Sequence, residues 1–169
     1  MSAPRDCGTC TLCCKIMEIT ELSKPAGSWC PNCRAGVGCT IYGQHPPSCK
    51  AFRCGYLNGA VPEAWRPNQS HMVVTFKSGP NYPFIHVDPG YPDAWRKEPF
   101  YSQIRQWAVD LAKSDGVVLV GVNHYLTVVF PDGEKYLGIV PPDKVIATGQ
   151  RATPRGIEYI AVLRDRPNH

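Results

Sequence analysis

Beyond Cys54 the chain contains no cysteine, although nine are packed between Cys7 and Cys54. That asymmetry is sharper than any other in the sequence, and several further absences frame it. No stretch approaches the roughly 20 consecutive apolar residues of a membrane-spanning helix, so no membrane partner is expected. The opening Met1-Ser2-Ala3-Pro4-Arg5-Asp6-Cys7 lacks an apolar signal-like run, and the expected location is cytoplasmic. Charge of one sign is also scarce. The net charge is +4 and the pI about 8.6, with basic residues scattered and only Arg151, Arg155, Arg164 and Arg166 thickening toward the end. A solvated surface accounts for that pattern better than a phosphate track, so a nucleic-acid partner is not expected and a protein partner stays open. No Ser/His/Asp order, no paired carboxylates at useful spacing and no glycine-rich phosphate loop stands out, and no catalytic residue is identified.

Large apolar residues are sparse before Cys54: Leu12, Ile16, Ile19, Leu22, Trp29, Val37, Ile41 and Phe52. They are too few to close a core around some fifty residues. Metal ligation is the expected substitute, since zinc contributes about 10–16 kcal/mol per ion in small finger peptides. The whole chain is 43% hydrophobic and 19% charged, as in globular proteins. Its 17 prolines and 15 glycines predict short elements and many turns.

After Cys54 the pattern becomes that of a small α/β-patterned domain. Residues 71–77 alternate, with Met72, Val74 and Phe76 expected on one buried face. Residues 82–88 read as the partner strand, joined through a turn at Ser78-Gly79-Pro80-Asn81. Phe100, Ile104, Trp107, Ala108 and Leu111 fall at helical spacing within residues 98–114, with Pro99 in the first turn and Gly116 as the stop. Strands follow at 117–122, 125–130 and 135–140, the last two joined by Pro131-Asp132-Gly133. A final strand at 157–164 is expected to close the sheet. Pro62-Glu63-Ala64-Trp65-Arg66 and Pro92-Asp93-Ala94-Trp95-Arg96 read as two similar helical turns. The fold class expected is therefore α+β. It comprises a loop-rich multi-cysteine metal-binding module, residues 1–56, with one or two helical turns across 12–22. A small, mostly antiparallel sheet with one main helix follows, residues 57–169.

The cysteines fall into groups. Cys7-Gly8-Thr9-Cys10-Thr11-Leu12-Cys13-Cys14 repeats a two-residue spacing that lets thiolates converge while backbone N–H groups hydrogen-bond the sulfurs. Adjacent Cys13 and Cys14 are expected to diverge, which favours two ions or a bridging thiolate. Cys30-Pro31-Asn32-Cys33 has the form of a zinc knuckle, with Cys39 beyond it. Cys49 and Cys54 form the last group. An odd count at knuckle spacing favours thiolate–metal ligation over a disulfide framework. Zinc, two or more ions, is the first expectation. An iron–sulfur cluster is the alternative, serving electron transfer or a protein-modifying enzyme.

These groups, taken with Gly38-Cys39-Thr40-Ile41-Tyr42 and Pro46-x-x-Cys49-Lys50-x-Phe52-x-Cys54, resemble the CxxCxxCC family of zinc- or iron-chelating proteins. That family includes YkgJ-like cysteine cluster proteins and, more distantly, the flagellin lysine N-methylases. The resemblance covers residues 7–56 and implies bound zinc or an iron–sulfur cluster in a bacterial cytoplasmic protein. It implies Cys7, Cys10, Cys13, Cys14, Cys30, Cys39, Cys49 and Cys54 as ligands. Two positions depart from the pattern: His45 stands where the family has an arginine, and Cys33 is an added thiol. No glycine-rich nucleotide loop follows a strand, as an S-adenosylmethionine fold would require.

Outside the cysteines, His45 is a possible additional ligand, because Pro46 and Pro47 hold the backbone extended toward Cys49. His86, Asp88 and Asp93 are a possible polar patch, with Tyr91 nearby. The competing reading makes Asp88-Pro89-Gly90 a turn and Asp93 a helix cap. His71 and His124 read as ordinary strand or turn residues, and His169 as a terminal one.

Overall fold

The computed structural model describes residues 5–76 and 82–167. Lys77, the expected turn 78–81 and His169 lie outside the described residues. The protein is mixed α+β with one main helix, and every strand pairing whose register is resolved is antiparallel. It divides into two compact units, Met1–Thr75 with His86–Arg96, and Phe76–Ile85 with Lys97–His169.

The first unit contains all nine cysteines. Its elements are α1 (Leu12–Ile16), a 3-10 turn at Thr20–Leu22, the short strands β1 (Cys33–Arg34) and β2 (Gly38–Cys39), and α2 (Pro47–Ala51). A 3-10 turn at Glu63–Trp65, α3 (Pro67–Ser70), β3 (Met72–Phe76) up to Thr75 and a 3-10 turn at Ala94–Arg96 also belong to it. The two Pro-x-Ala-Trp-Arg segments thus form single helical turns, and both Trp65 and Trp95 are buried. The unit runs well past the boundary expected after residue 56. Between Cys7 and Cys54 the only buried aliphatic side chains are Leu12, Ile16 and Ile19, whereas Tyr56, Val61, Trp65, Met72, Val73, Val74, Val87 and Trp95 are buried further on. Of these, Tyr56 and Val73 line a cavity together with Cys7, Cys10 and Cys54.

In β3 the expected alternation fails. Met72, Val73 and Val74 are all buried, while Phe76 is 43% exposed. Val73 lines a cavity together with Cys7, Cys10 and Cys54, and the Gly55 N–H donates to the Val74 carbonyl at 2.7 Å. The cysteine loops therefore cover the face that an alternating pattern assigns to solvent. The five-stranded sheet runs in the order β3, β4 (Pro83–Val87), β5 (Val118–Val122), β6 (Tyr125–Phe130), β7 (Gly133–Ile139). Alternation does hold in β4, with Pro83, Ile85 and Val87 buried.

In the second unit, α4 (Phe100–Ala112) buries Ile104 and Ala108. It is tied down by Arg105, which donates to the carbonyls of Phe130 (3.0 Å) and Pro131 (2.7 Å). Pro99 occupies the N-cap rather than the first turn. At the other end Asp115 takes the left-handed conformation expected of Gly116. Gly116 answers a packing need instead: a Cβ there would lie 3.0 Å from Cβ of Leu111. Hairpins at Asn123-His124 and Pro131-Asp132 set the β5–β6 and β6–β7 registers. The segment 157–164 does not close this sheet. It lies within β9 (Gly156–Asp165), which among the described residues pairs only with β8 (Lys144–Thr153), a strand its own residue pattern does not announce. A two-residue turn at Pro154-Arg155 makes that local pairing cheap in loop-closure entropy. Ala161 of β9 buries with Val117, Val128 and Phe130, and Tyr159 stacks on Phe130 at 5.5 Å. Among the described residues no helix is long and apolar enough to cross a membrane.

Ile104 is fully buried, so Ile104→Ala should lower unfolding free energy by about 2–5 kcal/mol in denaturant titration. Val109, on the exposed face of the same helix, should tolerate alanine within about 0.5 kcal/mol. Equal losses at the two positions would contradict the assigned helix face.

Candidate metal centre

Each cysteine is placed by short backbone turns. The Cys10 N–H donates to the Cys7 carbonyl at 2.7 Å and the Cys33 N–H to the Cys30 carbonyl at 3.0 Å, closing both two-residue knuckles. Gly8 takes φ +48° in the first knuckle, and a Cβ there would lie 3.0 Å from Nη2 of Arg66. The Cys30 N–H donates to the Cys14 carbonyl at 3.0 Å, which ties the second knuckle to α1. Cys33 and Cys39 are cross-strand partners in the β1–β2 ribbon. Cys49 rides on α2, whose first turn is anchored by Glu21: Ser48 donates its N–H to Oε1 at 3.0 Å and its hydroxyl to Oε2 at 2.8 Å. A bond to its own backbone, with those from Ser48, holds the Glu21 carboxyl below its usual range.

All nine cysteines are free thiols. Eight of them, all but Cys54, line one cavity of about 240 Å³, with Met17, Ile19, Leu22 and Phe52 among its apolar walls. A smaller cavity of about 70 Å³ is lined by Cys7, Cys10, Cys13, Cys49 and Cys54. Cys7, Cys10, Cys13 and Cys49 therefore face both. Among the described residues, no three His, Cys, Asp or Glu side chains already converge as a finished metal site.

The adjacent thiols do not diverge as expected. Helical backbone at the start of α1 brings both Cys13 and Cys14 to the larger cavity, and Cys14 is hydrogen-bonded to Cys13 and to Cys33. Cys33 in turn is bonded to the Thr11 hydroxyl, which accepts the Gly36 N–H at 3.0 Å. The run from Gly36 through Thr11, Cys33 and Cys14 to Cys13 links one sulfur of the second knuckle with two on α1. The bond to Cys13, burial and the charge of Cys13 push the Cys14 thiol far above its ordinary range. Burial, then the proximity of Cys14, pushes Cys33 up to about 12. Burial leads for Cys7, Cys10 and Cys49 as well, each raised further by neighbouring thiols. Backbone N–H bonds from Leu12 and Asn68 pull Cys10 the other way.

Cations flank the sulfurs. Lys24 is buried, and its ammonium donates to the carbonyls of Lys15 (2.8 Å) and Met17. Arg66 lies over the Tyr56 ring at 5.7 Å and favours the Cys10 thiolate, and its buried Nε has no hydrogen-bond partner among the described residues. Thr11, Lys24 and Arg66 were not singled out from sequence. A buried lysine or threonine carries no spacing signal, and only the fold brings Arg66 back to Cys10.

The other candidates are placed as follows. His45 lines the larger cavity, but its Nδ1 accepts the Gly43 N–H at 2.9 Å. A ring nitrogen that accepts an N–H leaves the proton on Nε2, so neither nitrogen presents a lone pair to the sulfurs in this arrangement. Tyr42 stacks on the ring at 5.0 Å. Nε2 of His86 is 3.0 Å from the Thr75 hydroxyl. Asp88 is buried, paired with Lys15 at 2.6 Å, and accepts the Gly90 N–H at 2.9 Å in a turn. Asp93 is exposed. His71 lies at the start of β3, stacked on Tyr91 at 3.6 Å, and His124 is exposed at the β5–β6 turn.

Against known proteins the chain matches no family model, no curated protein and no solved structure, so the likeness to CxxCxxCC proteins rests on the cysteine motif itself.

Proposed function

We propose that this protein binds two or more zinc ions through its clustered cysteine thiolates, and that the metal shapes residues 7–54 into a rigid surface for recognising a protein partner. The observation that carries the reading is the gathering of eight free thiols around one cavity, with the ninth, Cys54, on a second cavity that shares four of them. The donor set fits a borderline-soft dication. It is rich in sulfur, and its ligands stand on backbone turns already formed, so closing a site asks for side-chain rotation rather than refolding. Cys7, Cys10, Cys13, Cys14, Cys30, Cys33, Cys39, Cys49 and Cys54 would hold the ions. Bound zinc would supply cross-links between loops and neutralise thiolate charge. Side chains of this chain do the rest: Glu21 fixes α2, Thr11 orients Cys33, and Asp88 fastens Lys15.

Elemental analysis with an absorbance spectrum on anaerobically purified protein tests the assignment. Two or more zinc per chain without visible absorbance is expected. Iron with matching sulfide would overturn zinc in favour of a cluster on the same thiolates, and a metal-free, fully reduced chain would defeat ligation altogether. Chelation should make residues 7–54 more susceptible to protease by releasing the cross-links between their loops, while the preformed turns persist and fragments carrying β5 to β9 stay resistant. Unchanged resistance of 7–54 after complete metal removal would contradict a metal-built module.

The crowded thiols also set a pH dependence for the metal-free chain. A thiol raised on folding keeps its proton longer in the folded state, so its stabilising contribution is present below the ordinary thiol range. That contribution is lost as pH rises toward the folded value. The denaturation midpoint of metal-free protein should therefore fall from about pH 8 to about pH 10. A midpoint that rises over that interval would contradict the crowding.

A further inference from the structure

Lys24 stands out from the other cations among the described residues. It is 3% exposed, and its stem is fixed by the antiparallel bridge in which Ile19 and Lys24 exchange both backbone hydrogen bonds, at 3.0 and 3.1 Å. Its ammonium closes the C-terminal end of α1 by donating to the carbonyls of Lys15 and Met17. Carbonyls satisfy its protons but not its charge. Among the described residues no carboxylate lies within ion-pair distance of it; Asp88 is taken by Lys15 and Glu21 by Ser48. A buried cation without an anion is costly, and removing the partner of a buried charge costs several kcal/mol in general. The helix whose end it closes carries Cys13 and Cys14, and Met17, whose carbonyl it holds, lines the cavity with eight of the thiols. The thiolates of Cys30, Cys14, Cys13 and Cys49 counteract the lowering that burial imposes on its ammonium.

We propose that Lys24 is a positioning residue for the metal centre: its fixed positive charge offsets the negative charge left when thiolates surround a dication, and so sets how tightly the neighbouring cysteines hold metal. Four thiolates on one zinc ion leave a net charge of −2, which a buried site tolerates poorly without a cation beside it. One end of Lys24 is anchored in the backbone of α1, the helix that carries Cys13 and Cys14, so the charge cannot drift into solvent. The inference rests on the reading of the cysteines as metal ligands.

Competition against a chromophoric chelator, with zinc as the probe and the full chain as host, tests it in wild type, Lys24→Arg, Lys24→Gln and Lys24→Met. Arginine keeps charge and donors, glutamine keeps donors alone, and methionine keeps neither. Zinc affinity should stay near wild type in Lys24→Arg and drop about 10–100-fold in both Lys24→Gln and Lys24→Met. Glutamine equal to arginine, with only methionine weakened, would reduce Lys24 to a helix cap and overturn the inference while leaving metal binding intact. Wild type without zinc affinity would overturn both. A second pair guards against failure of the Lys24 variants to fold. Met17 lines the same cavity and is only half-buried, so Met17→Glu should bind zinc about tenfold more weakly than Met17→Gln. Equal affinity in that pair would overturn charge control of the site.

Discussion

The first unit is governed by one constraint: nine thiols are held in a segment with few buried aliphatic side chains of its own. Protonated thiols pack as small apolar groups, so the segment is compatible with burial while they remain neutral. Ionising them creates like charges in a medium that screens poorly, and both burial and neighbouring sulfurs resist it. The same crowding that makes a naked thiolate unfavourable makes a shared cation favourable. On the proposed reading, sulfur–metal bonds take the place that an apolar core fills in the second unit, where Val117, Val128, Phe130 and Ala161 are buried together.

What makes such an exchange economical is that the cysteine backbone is already held. The knuckle turns, the Cys30–Cys14 link and the Glu21 anchor on α2 are made by groups other than the sulfurs. Two longer links fasten the segment to the rest of its unit: Gly55 to β3, and Arg5 to the carbonyls of Tyr56 and Val61. Preorganisation of this kind lowers the ordering cost that binding would otherwise carry. It also explains why Val73 is buried, since the loops it supports lie over it.

Local order was largely legible in the sequence. Helical spacing located α4 through Ile104 and Ala108, and the Pro131-Asp132-Gly133 signal located the β6–β7 turn. The cysteine spacing located the knuckles. The misses share a cause. Periodicity reports how many faces of a strand are apolar, not what covers them, so Val73 was misplaced. In β8, Gly149, Thr148 and Gln150 dilute the apolar signal, and its role emerges only from pairing with β9. Lys24 and Arg66 were invisible for a related reason: each matters through residues distant in sequence or through burial that a polar residue type does not advertise.

The nearby carboxylates sharpen the chemistry of the donor set. Asp88 is committed to Lys15, Glu21 to Ser48, and Glu63 to the Tyr56 hydroxyl at 2.9 Å. The two that line the cavities, Glu18 and Asp6, are exposed. A solvated carboxylate must shed water before it can ligate, whereas every cysteine except Cys7 is at least partly withdrawn from solvent. His45, with Nδ1 already accepting from Gly43, adds no nitrogen donor in this arrangement. The competition for an incoming ion is therefore weighted toward sulfur. That weighting disfavours magnesium and calcium, which prefer oxygen, and favours zinc and iron, for which thiolate is a strong ligand. On the proposed reading, selectivity would come from the cysteines supplied and from the commitment of Asp88, Glu21 and His45 to other partners.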